Sequence, residues 1–176
     1  NYESIAITDS ANLFGFLKFY KSVRSKGIKP IAWAEINHVR DSSSHNEHAN
    51  LTLIAKNQTG YKNLIKLISK SQIVGKTSGI PVIETEWLAE HSDGLIALSG
   101  GFRGHIGKAV LDTNHDLFLK RIKYFQKIFK EDFILEISRI NRPQEDLYND
   151  YILSKAGELG LPVVASNEVR FIDKED

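Results

Sequence analysis

Short apolar runs, each followed by a segment with helical spacing, leave this chain few architectures to choose from. The stretch 4–15, S-I-A-I-T-D-S-A-N-L-F-G, sets the pattern. Ile5, Ala6 and Ile7 form an apolar run, Thr8-Asp9-Ser10 breaks it, and Leu13, Phe16, Leu17 and Tyr20 open a spacing of three and four. That is a buried strand running into a helix, with Asp9 or Ser10 placed to accept the helix's unpaired N–H groups. In α/β folds chemistry gathers at the C-terminal ends of strands. Asp9 sits at such an end, where a carboxylate can either ligate a metal or cap a helix.

The same unit recurs downstream. A helix over 12–25 stops at Gly27, a natural position for a left-handed C-terminal residue. A strand over 28–39 follows, with Pro30 near its start, where a missing N–H is tolerable. Residues 40–49 are a polar loop, and 50–55 is a third strand. Asn57-Gln58-Thr59-Gly60 turns the chain into a helix whose apolar face carries Tyr61, Leu64, Ile65 and Ile68. The stretch 71–79 is a connection, and 81–91 holds a short helix. A strand over 94–99 ends in Gly100-Gly101, followed by helices over 105–111 and 114–130. Phe118, Ile122, Phe125 and Phe129 form the buried face of the longer one, and Lys120, Lys123, Lys127 and Lys130 a solvated face. A fifth strand covers 133–137, Pro143 opens the next helix, Gly160 closes it, and 161–166 is a sixth strand.

Strands of this length alternating with helices indicate an α/β fold with mostly parallel pairing. Their continuous apolar character is what two covered faces require. Part of a βα barrel or an open doubly wound sheet satisfies both. The chain starts at Asn1, almost directly on a strand, and ends on Lys174-Glu175-Asp176 with no closing helix, so a piece of something longer is expected.

At 176 residues and 41% hydrophobic content, one core is the expectation. Lys and Arg number 23 against 22 Asp and Glu, so no global basic field points to nucleic acid, and any such binding has to be local. The absence of cysteine excludes disulfides and thiol catalysis and agrees with a cytoplasmic location. No apolar run approaches the roughly 20 residues needed to span a bilayer, and no signal peptide is visible.

The strand ends, taken in order, are Asp9-Ser10, Glu35 through His38, Lys56-Asn57, Ser99-Gly100-Gly101, Glu136 through Arg139, and Asn167 through Arg170. In a barrel these converge on one mouth. The set holds Asp9, Glu35, Glu136 and Glu168 with Arg139 and Arg170, but a dinuclear site also needs imidazoles or several carboxylates with water. Of six histidines only His38 lies near a strand end, on a polar exit into the loop. His45 and His48 belong to that loop, His91 lies at a helix C-terminus where a partial positive charge suits the dipole, and His105 and His115 take surface positions by default. The Gly100–Gly104 stretch is a tight strand-to-helix turn; it has the backbone N–H groups for an anion but neither the P-loop ending nor dinucleotide spacing. The lysines of the 114–130 helix lack interleaved exposed aromatics and read as a solubilising face.

Specific strings then narrow the field. I-A-I-T-D-x-x-N-L-F-G, with L-K-F-Y-K and G-I-K-P-I after it, resembles the PHP (polymerase and histidinol phosphatase) domains of bacterial replicative DNA polymerase III alpha subunits. The resemblance continues through 51–70, 94–101, 133–139 and 160–173 and covers essentially the whole chain. It implies a PHP-type distorted βα barrel, residues 1–176 forming one incomplete PHP domain without its first strand and helix. The family's opening His-x-His motif would lie in that missing part. The polymerase domains, with their catalytic carboxylates and Mg2+, would lie downstream.

Active PHP domains carry a metal cluster in the barrel mouth, and the resemblance assigns its positions here. Asp9, Glu35 and Glu136 keep acidic residues. Ser10 stands where a His is expected, Asn50 likewise, Gly101 replaces a Cys- or His-type ligand, Ile140 occupies a His position, Glu168 replaces an Asp, and Arg170 replaces a His. Such a set cannot hold the metals, and a permanent cation at Arg170 opposes them while suiting a pair with Asp9 or Glu168. The expectation is a vestigial site with no catalytic, cofactor or metal-binding residue, in a structural module that docks the epsilon proofreading exonuclease. DNA would be engaged through the rest of the alpha chain. The alternative is an active metal-dependent phosphoesterase or 3′–5′ exonuclease drawing ligands from the missing part and His38. A stand-alone nucleic-acid module is a third reading, disfavoured by the near-neutral charge.

Overall fold

Strand β2 (Lys29–Val39) is the spine of the molecule, long enough to take two different neighbours along one edge. The computed structural model describes residues 2–39, 48–77 and 79–167. The first half of that edge pairs in parallel with β1 (Ser4–Ser10), and its last residues pair with β5 (Ile80–Glu84). The other edge carries β3 (Ala49–Ala55), followed by β6 (Leu95–Leu98), β7 (Phe133–Ile137) and β8 (Val163–Ala165). A two-residue strand, β4 (Lys76–Thr77), borders β5. The result is one curled eight-stranded sheet with six helices among the described residues.

Four pairings are parallel, as the alternation of strands and helices implies. Strand β3 runs against both β2 and β6, and the short β4–β5 pair is also antiparallel. Parallel return would need a crossover of a dozen residues or more, normally with a helix, and the segment between β2 and β3 is too short.

Side chains alternate across β2. Ala32, Ala34, Ile36 and His38 are buried on one face, opposite Leu51 and Leu53 of β3 and Ala97 of β6. Helices α1 (Phe16–Arg24), α2 (Gln58–Ile73), α3 (Thr85–Glu90), α4 (His105–Leu111), α5 (His115–Phe129) and α6 (Glu145–Leu159) follow their strands in the chain. Leu64, Leu67 and Ile68 of α2 join Phe118, Ile122, Phe125 and Phe129 of α5 in a single core with these strand residues. The α5 stripe is the one its spacing predicts. On α2 the stripe is rotated: Leu67 is fully buried while Ile65 is exposed.

Local chemistry sets the boundaries. Gly27 at φ +75 ends α1, with its N–H on Arg24 and the Ile28 N–H on Val23. Asn57 caps α2 by accepting the Gly60 N–H at 2.9 Å. Two expectations need correction. The stretch 71–79, expected as a connection, and the start of 81–91, expected to hold a short helix, contain the β4–β5 hairpin, where Pro81 pairs with Lys76 at the sheet border. Pro143 precedes α6 instead of opening it, because Gln144 adopts φ +64 and the helix starts at Glu145.

Candidate functional site

The sheet face turned away from the helical core carries the polar residues. Register aligns Glu35 with Thr52, Thr52 with Leu98, and Leu98 with Ile134. Two residues further along the parallel strands, Asn37 pairs with Asn50 and the next outward position of β7 is Glu136. Glu35, Asn37, Asn50 and Glu136 therefore share one face near the C-terminal ends of the parallel strands.

Each surviving carboxylate there has protein partners. The Asn50 side-chain amide donates to Glu35 Oε1, and Arg103 Nη2 lies 3.5 Å from the same oxygen. Glu136 is buried; its backbone N–H donates to Ser99 Oγ at 3.0 Å and its carboxylate accepts the Ser166 hydroxyl. Tyr148 donates its hydroxyl to the Glu136 carbonyl at 2.8 Å. Burial raises the Tyr148 phenol's pKa far above its ordinary value; the Ser99 hydrogen bond partly offsets that, and the nearby Glu136 charge adds to it. Gly101 sits beside Glu136, about 4.0 Å from its Cγ measured from where a Cβ would be. The preceding Gly100, at φ +76, lets the turn close against the Asn50 carbonyl.

The other expected positions separate from this group. Asp9 is in register with Ala34, on the helical side of the sheet, and accepts the Gly15 N–H at 3.1 Å in front of α1. That N–H belongs to the residue preceding the helix, whose first turn takes no side-chain cap. Ser10, one residue on, is in register with Glu35 instead. Ile140 is half-buried and donates its N–H to Glu145, while Arg139 is exposed. Glu145 also accepts from Ser138 Oγ and the Asn141 N–H; burial alone would raise its pKa, but these donors together hold it below its ordinary value. Glu168 and Arg170 lie outside the described residues, as does His45.

Two histidines depart from expectation. His38 is fully buried, and its ring meets the buried His105 ring edge-on at 5.1 Å. His105 Nε2 donates to the His38 carbonyl at 3.0 Å, and Arg121 donates to the His105 carbonyl. Period-two alternation after Ala34 and Ile36 was the available signal for His38, and the apolar start of α4 for His105. Neither imidazole reaches the Glu35–Glu136 face, because His38 occupies the helical side of β2.

As a donor set for a metal cluster the described residues do not fit. No three His, Asp or Glu side chains among them converge, and an amide donor and a guanidinium occupy the side of Glu35 where a cation would coordinate. No helix among the described residues is long and apolar enough to cross a membrane.

Comparison with known proteins agrees with this architecture. The family model for the PHP domain matches residues 1–140. The DNA polymerase III alpha subunit of Vibrio cholerae is 42% identical over 172 residues, covering 98% of this chain and 15% of that protein. The same subunit of Escherichia coli K12 is 42% identical over 173 residues, with the same coverage. The chain thus spans about 15% of the length of these relatives. Among solved structures, a candidate metal-dependent phosphoesterase from Bifidobacterium adolescentis superposes with a TM-score of 0.59 over 93% of this chain and 76% of the other, at 11% identity. At that identity the likeness is one of fold. With its fold, the placement of its polar sheet face and the family match over most of its length, this chain belongs to the PHP domain family.

Proposed function

We propose that this is the PHP domain of a replicative DNA polymerase III alpha subunit, acting in the cytoplasm as a non-catalytic module that docks the epsilon proofreading exonuclease and the remainder of the alpha chain. Polymerase chemistry belongs, in this reading, to domains outside this sequence. The observation that carries it is the state of the surviving carboxylates. Glu35 and Glu136, the acids that share the polar sheet face, are held by Asn50, Arg103 and Ser166, so hydrogen-bond donors take the role that cations fill in a metal site. The retained sheet then serves as a scaffold whose Glu35 and Glu136 carboxylates are held by protein donors.

The test combines metal analysis with docking. Protein purified through a chelator and re-equilibrated with Zn2+, Mn2+ or Fe2+ should hold well below one ion per chain, and should co-elute with the cognate epsilon subunit. Stoichiometric metal lost on Glu35→Ala, together with chelator-sensitive hydrolysis of a nitrophenyl phosphate, would overturn the proposal in favour of an active phosphoesterase.

A further inference from the structure

Near-zero net charge conceals a strong segregation of charge. Between Asp9 and Glu35 the chain carries five lysines and arginines and no acid, and residues 48–83 carry another five and no acid. The first set belongs to α1 and the start of β2, the second chiefly to α2. Between these two helices lies an open groove of about 550 Å³. Its floor includes Pro30, Ala32 and Ala55, its walls carry Tyr20 and Tyr61, and none of its lining residues is acidic.

Helical spacing places cations along both walls. Leu17 and Tyr20 line the groove from α1, so Lys21 and Arg24, four residues after each, share that face. Gln58 and Tyr61 line it from α2, which brings Lys62 to the same side. Lys29 lines the groove from the start of β2. Lys56 also lines it but is neutralised by Asp132 at 2.8 Å. The Tyr20 ring is held in place, its hydroxyl accepting from Arg24 at 2.9 Å while the guanidinium lies 5.7 Å from the ring centroid.

A groove that joins partly exposed tyrosine rings to unopposed cations has the two elements by which single strands are held: stacking platforms for bases and positive charge for the backbone. We infer that the α1–α2 groove is a docking surface for single-stranded nucleic acid. Stacking at Tyr20 and Tyr61 is sequence-tolerant, so the surface binds by backbone and base face without reading sequence. The cation positions Lys21, Arg24, Lys29 and Lys62 suit three or four phosphates.

Anisotropy of a labelled oligo-dT tests this on the protein across a salt series. Binding at low salt should weaken with a log–log slope of about −2 to −3, from roughly 0.7 per phosphate neutralised on a single strand. The double variant Lys21→Glu/Lys62→Glu should lose more than about tenfold in affinity. Tyr20→Ala should lose about fivefold or more with the salt slope unchanged, since stacking is not ionic. Lys120→Glu/Lys127→Glu, on the exposed face of α5, should bind as the parent does, and thermal melts check that every variant is folded. Equal affinity in the groove and α5 variants overturns the inference. So does absence of oligo-dT binding at low salt alongside groove-dependent binding of an acidic amphipathic peptide, which would make the surface a peptide-docking site instead.

Discussion

The Asn50 side chain donates its amide hydrogen to the Glu35 carboxylate across the antiparallel β2–β3 pair, joining two strands through a contact that no backbone ladder supplies. With Arg103 Nη2 3.5 Å from the same oxygen, Glu35 has two donors on one side. Asn50→Leu should therefore destabilise the fold by about 1 kcal/mol, a modest figure because the Glu35 side chain is still partly hydrated. Thermal denaturation should register this as a loss of roughly 2–4 °C. An unchanged melting temperature would mean that water replaces the amide at no cost.

Two glycines with nearly the same backbone angle should respond differently to alanine. Gly27, at φ +75, has open space around its Cβ position, whereas at Gly100, at φ +76, a Cβ would lie 2.1 Å from the Asn50 carbonyl oxygen. Gly27→Ala should cost about 1 kcal/mol from left-handed strain alone. Gly100→Ala adds a clash with backbone that cannot swing away, so a loss of at least about 2–3 kcal/mol is expected. Urea unfolding of the two variants side by side measures the difference.

The core prediction concerns Phe125, whose ring stacks on Phe133 at 5.2 Å and also meets Tyr124. Phe125→Ala should cost about 3–5 kcal/mol, a large part of the stability of a domain this size. Tyr148→Phe, which removes the hydroxyl that donates to the buried Glu136 carbonyl and also bonds Ser99, should cost about 1 kcal/mol. If the order of the two midpoints in urea were reversed, the polar contact and not packing would anchor β7.

Acid should weaken the start of α6 through Glu145. Its donors lower its folded pKa below the ordinary value of 4.5, so its stabilising contribution is complete above that value and is lost as pH falls through the folded one. The gap in urea midpoint between the parent and Glu145→Gln should be widest at neutral pH and should shrink below pH 4.5. A gap that stays constant down to pH 3 would show that the carboxylate charge has no part in holding Ile140 and Asn141.

Much of the fold follows from local pattern. Apolar runs at 50–55 and 133–137 become strands because that buries continuous apolar backbone, the run at 5–7 pairs with β2 but leaves Ile5 exposed, and the three- and four-residue spacing of Phe118, Ile122, Phe125 and Phe129 turns that stripe into the core. Capping at Asn57 and termination at Gly27 are equally local, since each depends on atoms within a few residues. The family match, too, rests on strings of residues that need no coordinates.

Register and direction are long-range properties, and there the sequence by itself stops. Asp9 and Ser10 are adjacent in the chain, yet pairing with β2 turns Asp9 toward α1 and aligns Ser10 with Glu35, because one residue of shift exchanges the faces of a strand. The same alternation buries His38 against His105, which a linear reading leaves at the surface. Strand β3 reverses because its connection is too short for a crossover, and that reversal brings Asn50 to Glu35. The sequence determined which residues could be buried and where helices begin and end. Which polar side chains meet across the sheet was decided by strand pairing, a property of the assembled fold.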